Sequence, residues 1–299
     1  MTKNRFMGFN RYKYNDYICV LKQRLTMNIK TAPLWKWILL FIVSGILAFL
    51  GYGIIDGFQI AMKQAIMAYI FPPLAILGLY VVFTYWFEKE WAPDVVRRRA
   101  FTDLLVGLSF GAVYLLVVAV IIYLCGCVTF EKFTWDSQSQ LIAFLIFFGV
   151  AVGEEIIFRG VLFKWIDKRW GMWPALLVSA FVFGFAHITN DNGTVWSSIS
   201  ISVEAGLLFG MIYKWSGSLW LPIGIHWSWN YVQGNILGFA VSGTDAGTTL
   251  YKAIPSGPDL VSGGAFGAEA SIVSFALGLA LTILLIRACY KSSSPSAGI

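Results

Sequence analysis

The sequence predicts an all-α, polytopic membrane protein with about eight transmembrane helices and both termini on the cytoplasmic side. Three observations predict it. Of 299 residues, 58% are hydrophobic and only 13% charged, with a mean hydropathy of +0.71; a soluble domain of that size could not hide so much apolar surface. Eight stretches approach the roughly 17–25 apolar residues that a helical crossing needs, and lipid favours helices because each must satisfy its own backbone groups. If the crossings alternate from an inside amino terminus, every one of the 22 Lys and Arg residues falls inside or towards the inner end of a span except Lys63, Lys132 and Lys252, as the positive-inside rule requires.

In chain order, residues 1–36 form a basic tail. It carries Lys3, Arg5, Arg11, Lys13, Lys22, Arg24, Lys30 and Lys36, and no apolar core before Trp35, so it is not a signal peptide. Two readings stand: a segment lying on anionic lipid, and a disordered tail or extended start. The expected crossings are 37–55, 65–87, 104–124, 141–163, 174–190, 199–213, 217–237 and 270–288. The third and eighth are the clearest. The sixth is short and opens on the polar run WSSISISVEAG, so protein or water must shield it. A loop rich in Gly, Ser, Thr and Pro, residues 238–269, is expected outside, and 291–299 is a short polar tail. Residues 37–290 thus make one membrane domain. No internal repeat is visible, which counts against the repeat-built transporters.

Several classes drop out. The net charge of +6 follows from topology, and no basic stripe with interleaved aromatics marks a nucleic-acid partner. The cysteines are Cys19, Cys125, Cys127 and Cys289; one residue between Cys125 and Cys127 suits a disulfide poorly, and all four read as packing residues. A serine intramembrane protease lacks its GxSG segment, and a site-2 protease its HExxH.

Ionisable groups inside a membrane are costly and mark function by default. Here they are few: Glu154, Glu155 and Arg159 on the fourth span, His187 on the fifth, Glu204 on the sixth, His226 with Asn230 on the seventh. Both histidines of the chain are among them. Glu155 and Arg159 are four apart and share a helix face, so they pair; Glu154 projects about 100° away. His226 and Asn230 also share a face. A carboxylate and an imidazole holding one water form a general base, and a second imidazole with an amide N–H can hold an oxyanion, at about 3–4 kcal/mol per donor. That describes amide hydrolysis without a covalent intermediate.

Other readings use the same residues. The Glu–Arg pair alone is often a packing ion pair, a membrane His or Asn a helix–helix hydrogen bond, and Glu204 either structural bonding or support for the site. Glu154, His187 and His226 also supply the ligand types of a catalytic zinc site. A peptide-binding or immunity protein that never cuts, and a proton-coupled transporter, are the non-enzyme alternatives. One check is imperfect: on these span limits Glu154 and His187 differ in depth by about 10 Å.

EEIIFR, with Glu154, Glu155 and Arg159, resembles the EExxxR motif of the CAAX-protease and bacteriocin-processing membrane proteins. FGFAH, with Phe183 and His187, resembles that family's FxxxH motif, and HWSWN, with His226 and Asn230, its HxxxN motif. The likeness covers about residues 141–243 in the right order and extends weakly to GGAFGAEAS. It implies an eight-helix intramembrane endopeptidase of the type that includes the prenyl-protein CAAX proteases, in which Glu154 and His187 activate water, His226 and Asn230 hold the oxyanion, and Glu155 and Arg159 orient the site; no cofactor is expected, with zinc the alternative. The substrate would be a peptide or protein: one lipidated at its carboxyl terminus, a leader peptide, or another membrane-proximal segment.

Overall fold

The computed structural model describes residues 32–53, 67–132 and 135–293. Most of the basic tail, Cys19, Lys63 and the chain beyond Ser293 lie outside the described residues. Each of the eight apolar stretches contains a helix. These are α1 (Leu34–Gly53), α2 (Met67–Glu88), α3 (Ala100–Leu124), α4 (Ser137–Trp170), α5 (Met172–Ala186), α6 (Val195–Ser216), α7 (Trp220–Tyr231) and α8 (Ile272–Ser293). Five of them, α2, α3, α4, α6 and α8, are long and apolar enough to cross a membrane; α1 and α5 have shorter apolar runs.

Local chemistry sets the helix limits. Asp136 caps α4, accepting from the Gln138 and Ser139 N–H groups, and Thr194 caps α6 through a capping box with Ser197. Most expected limits shift by a few residues, and two of the shifts bear on the site. The fourth span runs on to Trp170, because Lys164 and Lys168 find acidic partners instead of ending the helix. The fifth stops at Ala186, leaving His187 just past the helix end. These shifts remove the expected mismatch in depth. Counted from the α4–α5 corner at Gly171, Glu154 lies about 24 Å up α4 and His187 about 22 Å up α5.

The described residues depart from an all-helical chain at one ribbon. Strands β1 (Val128–Lys132) and β2 (Tyr251–Pro255) pair antiparallel, Val128 opposite Pro255 and Lys132 opposite Tyr251. The ribbon ties the α3–α4 connection to the long α7–α8 loop. That loop therefore has structure of its own, including short helical turns at Asp259–Ser262 and Ala268–Ala270. Cys127 packs in the core beneath the ribbon, whereas Cys125 is exposed, so the packing reading fails for Cys125.

The opposite end of the bundle gathers basic side chains: Lys36, Lys89, Arg97 to Arg99, Lys164, Lys168, Arg169 and Lys214. Buried Asp94 organises it, accepting from Tyr80 Oη at 2.6 Å, Tyr213 Oη at 2.7 Å and Lys164 Nζ at 3.1 Å. Burial alone would raise the Asp94 carboxyl, but Lys164 and the two phenols outweigh it and hold it below the usual range. The 89–99 loop is thereby bolted to α2, α4 and α6.

The interior contact that matters most for the site is α3 against α7. Glycines permit it: a methyl at Gly107 would collide with the Leu221 carbonyl, and one at Gly111 with that of Ile225. Small residues let membrane helices approach this closely. On its other side α7 is fixed to α4, where the Trp227 indole donates to the Phe144 carbonyl at 2.9 Å.

Candidate active site

Four helices bring the polar residues together. Glu155 is 0% exposed, and its Oε1 accepts from Arg159 Nη1 at 2.8 Å, the i, i+4 pair expected from the sequence. Arg159 reaches further: Nη2 donates to the Ala205 carbonyl on α6 at 2.6 Å, and its guanidinium lies over the Phe183 ring of α5, 4.5 Å from the centroid. One arginine therefore touches α4, α5 and α6.

Glu155 has a second partner. Its Oε1 also accepts from His226 Nδ1 at 3.0 Å, while His226 Nε2 stands 3.9 Å from Glu154 Oε2. The two adjacent carboxylates, which leave α4 in different directions, thus address the two nitrogens of one imidazole. Glu154 is the more open, at 20% of its side chain, and its Oε2 has no hydrogen-bond partner. His187 Nδ1 lies 2.8 Å from the Phe183 carbonyl. A carbonyl only accepts, so Nδ1 carries the hydrogen, and in the neutral ring Nε2 is the nitrogen with the lone pair.

A cavity of about 20 Å³ lies between these groups; its polar lining is His187, His226, Asn230, Glu204, Glu269 and Ser242. That is room for about one water. His226 and Asn230 enter from one face of α7, as their spacing requires. Glu154 is not in this lining and meets it through His226. The zinc donor set of Glu154, His187 and His226 does not form a metal-holding group among the described residues.

Two lining residues, Ser242 and Glu269, were not anticipated. Both come from the α7–α8 loop and roof the cavity, with the Ser242 N–H donating to Glu269 Oε1. Glu269 is 3% exposed, and burial pushes its carboxyl above the ordinary range. The one signal in the sequence was a lone carboxylate among small residues, in GGAFGAEAS. Glu204, read from the sequence as either structural bonding or support for the site, lines the same cavity.

No curated protein and no solved structure matches the chain. Residues 136–232, which carry all three motifs and the helices from α4 into α7, match the Rce1-like family, described as type II CAAX prenyl endopeptidase Rce1-like, and this is the CAAX-protease family that the motifs resemble.

Proposed function

We propose that the protein is an intramembrane endopeptidase that hydrolyses a peptide bond with a water activated by Glu154 and His187. The observation that carries this is the convergence on one water-sized cavity of both histidines of the chain and Asn230, with Glu154 against His226. His187 offers the lone pair of Nε2 to the water, and Glu154, partly open and with an unengaged oxygen, takes up the proton. Hydroxide adds to the scissile carbonyl carbon. The oxyanion that forms accepts from Asn230 and, when it carries a proton at Nε2, from His226, whose Nδ1 is held by Glu155. Glu155 and Arg159 fix that imidazole and touch no substrate. No step needs a metal.

The same reading includes eight crossings with both termini in the cytoplasm. The gathering of Lys and Arg at the Asp94 end supports it; Lys132 and Lys252 are the Lys residues of the ribbon at the other end. The substrate is a peptide or protein segment presented from the membrane, with a lipidated carboxyl terminus as the class suggested by the family.

The test compares peptide termini, by mass spectrometry, in membranes from cells expressing matched levels of wild type and Glu154→Gln. Termini made by wild type alone establish proteolysis and name a substrate. Identical termini, with the variant still conferring whatever phenotype the gene confers, refute the endopeptidase reading in favour of a peptide-binding protein.

A further inference from the structure

The cavity contains a carboxyl group that the mechanism above leaves idle. Glu204 is 1% exposed, and three helices are shaped around it. Ser274 of α8 donates to its Oε2, and Tyr114 of α3 donates to the Ser274 carbonyl at 2.7 Å. Helix α8 comes close through Gly278, where a methyl would stand 2.8 Å from Glu204 Cα and Cβ. The second oxygen, Oε1, is buried and has no hydrogen-bond partner, although Glu204 lines the cavity beside His187, His226 and Asn230. A buried carboxyl with one oxygen satisfied and the other unengaged is expensive to keep, and packing alone would not require it.

Glu269 lines the same small space. Two carboxylates lining one small, buried cavity oppose each other's charge, so the pair favours holding one proton. Burial raises the Glu269 carboxyl, but the backbone N–H it accepts works the other way and favours its ionised form, whereas Glu204 accepts only from the Ser274 hydroxyl. The proton therefore belongs on Glu204, at the oxygen that has no other partner. Glu154 stands outside the lining, on the His226 side, so base and acid would be separate groups.

From this arrangement we infer that Glu204 is the general acid of the cleavage, handing the proton on Oε1 to the leaving amine. The inference rests on the endopeptidase reading and extends it. In the first step water gives its hydroxide to the carbonyl carbon and its proton to the base. In the second the C–N bond breaks, its electron pair goes to nitrogen, and nitrogen takes the Glu204 proton as the oxyanion reforms the carbonyl. Acid and amine leave. Glu204 is left ionised and the base protonated, and one proton transfer between them restores the site.

An amine needs that proton to depart, whereas an alcohol of much lower basicity needs it far less. The test therefore uses purified full-length protein, an internally quenched farnesylated CAAX peptide, and its depsipeptide twin with an ester at the bond that is cut. Glu204→Gln keeps size and the Ser274 contact but has no proton to give. It should lower kcat on the amide by about 10²–10⁴-fold and leave ester cleavage within about threefold. Retained amide cleavage overturns the inference. So does equal loss on both substrates by a variant that elutes and melts like wild type, since that marks a structural role. Wild type that cleaves neither peptide fails at the earlier step, and this inference falls with it.

A second variant guards against misfolding of the first. The charged and titratable groups facing Glu204 are Tyr114 from α3 and Glu269 from the loop, with His187 and His226 lining the same cavity. Glu269→Gln removes the carboxylate that keeps the proton on Glu204, so the alkaline limb of the amide kcat profile should move to lower pH while the ester profile keeps its limb. An unmoved amide profile refutes the shared proton and the assignment built on it.

Discussion

Removing Arg159 should cost far more than removing Arg159 and the Glu155 charge together. In Arg159→Met, Glu155 stays fully buried and keeps only His226 Nδ1 at 3.0 Å. The 2.8 Å bond to Glu155 and the 2.6 Å bond to the Ala205 carbonyl both vanish. Breaking a buried ion pair by deleting one partner costs about 3–5 kcal/mol, because a charge is left uncompensated. At about 1.6 °C per kcal/mol for a chain of this size, Tm falls by about 5–8 °C. The double variant Glu155→Gln with Arg159→Met leaves no stranded charge, and the amide oxygen introduced in place of the carboxylate still accepts from His226. It should recover about 2 kcal/mol of the single variant's loss, a coupling within the range for residues in contact. The assay is thermal unfolding of detergent-solubilised protein for wild type, both single variants and the double. Additive losses, or a single-variant cost below about 1 kcal/mol, would refute the claim that the pair is a closed electrostatic unit.

Three further outcomes rest on the same structure. Gly111→Val drives a side chain into the Ile225 carbonyl and the Ser228 hydroxyl; overpacking of about 1–3 kcal/mol should lower Tm and displace His226 and Asn230, so activity falls more than stability. Asp94 has a folded pKa below its unfolded value of about 3.9, so its stabilisation is fully present above that value and is lost as pH falls through the folded pKa. Wild-type Tm should therefore drop on acidification below about pH 4, and Asp94→Asn should be less stable at neutral pH with a flatter acid limb; parallel limbs would contradict this. Single cysteines at Trp91 and at Asp245, read with a membrane-impermeant thiol reagent on intact cells in a background lacking exposed thiols, should label only at Asp245. Labelling at Trp91 instead would invert the proposed orientation.

The helices were legible because an apolar stretch of crossing length has little choice of backbone, and the i, i+4 pair Glu155–Arg159 because its geometry is local. Limits set by long-range partners were not legible. The segment Lys164–Trp170 reads as a polar connection, yet Lys164 bonds Asp94 and Lys168 bonds Glu88, and the helix continues to Gly171, whose φ of 90° suits glycine. The ribbon was missed because its paired residues are 119 or more positions apart in sequence and meet only through the path of the loops. The same path brings Ser242 and Glu269 over the cavity. Spacing rules see one helix face at a time, so they found His226 with Asn230 and could not find the Glu154 carboxylate at the far nitrogen of His226.

The costly residues also sit where the helices change pitch. Wide π-type turns occupy Ile156–Phe163, directly after Glu155 and including Arg159; Ser202–Leu207, including Glu204; and Val232–Ile236, just beyond Asn230. Such turns are rare and cluster at functional sites. An extra residue per turn rotates the later part of a helix relative to the earlier part, so a side chain is re-aimed without bending the helix out of the bundle. The price is a backbone less completely satisfied by its own helix, in a medium that offers no water. Arg159 meets that cost at one of the three, since its Nη2 donates to the Ala205 carbonyl inside the wide turn of α6. The motif arginine thus does two things that a lysine, with one point charge and no planar fork, could not do together. It neutralises the carboxylate that holds His226, and it braces the turn that aims Glu204. The residues of the first motif and the residue without a motif are in this way parts of one construction.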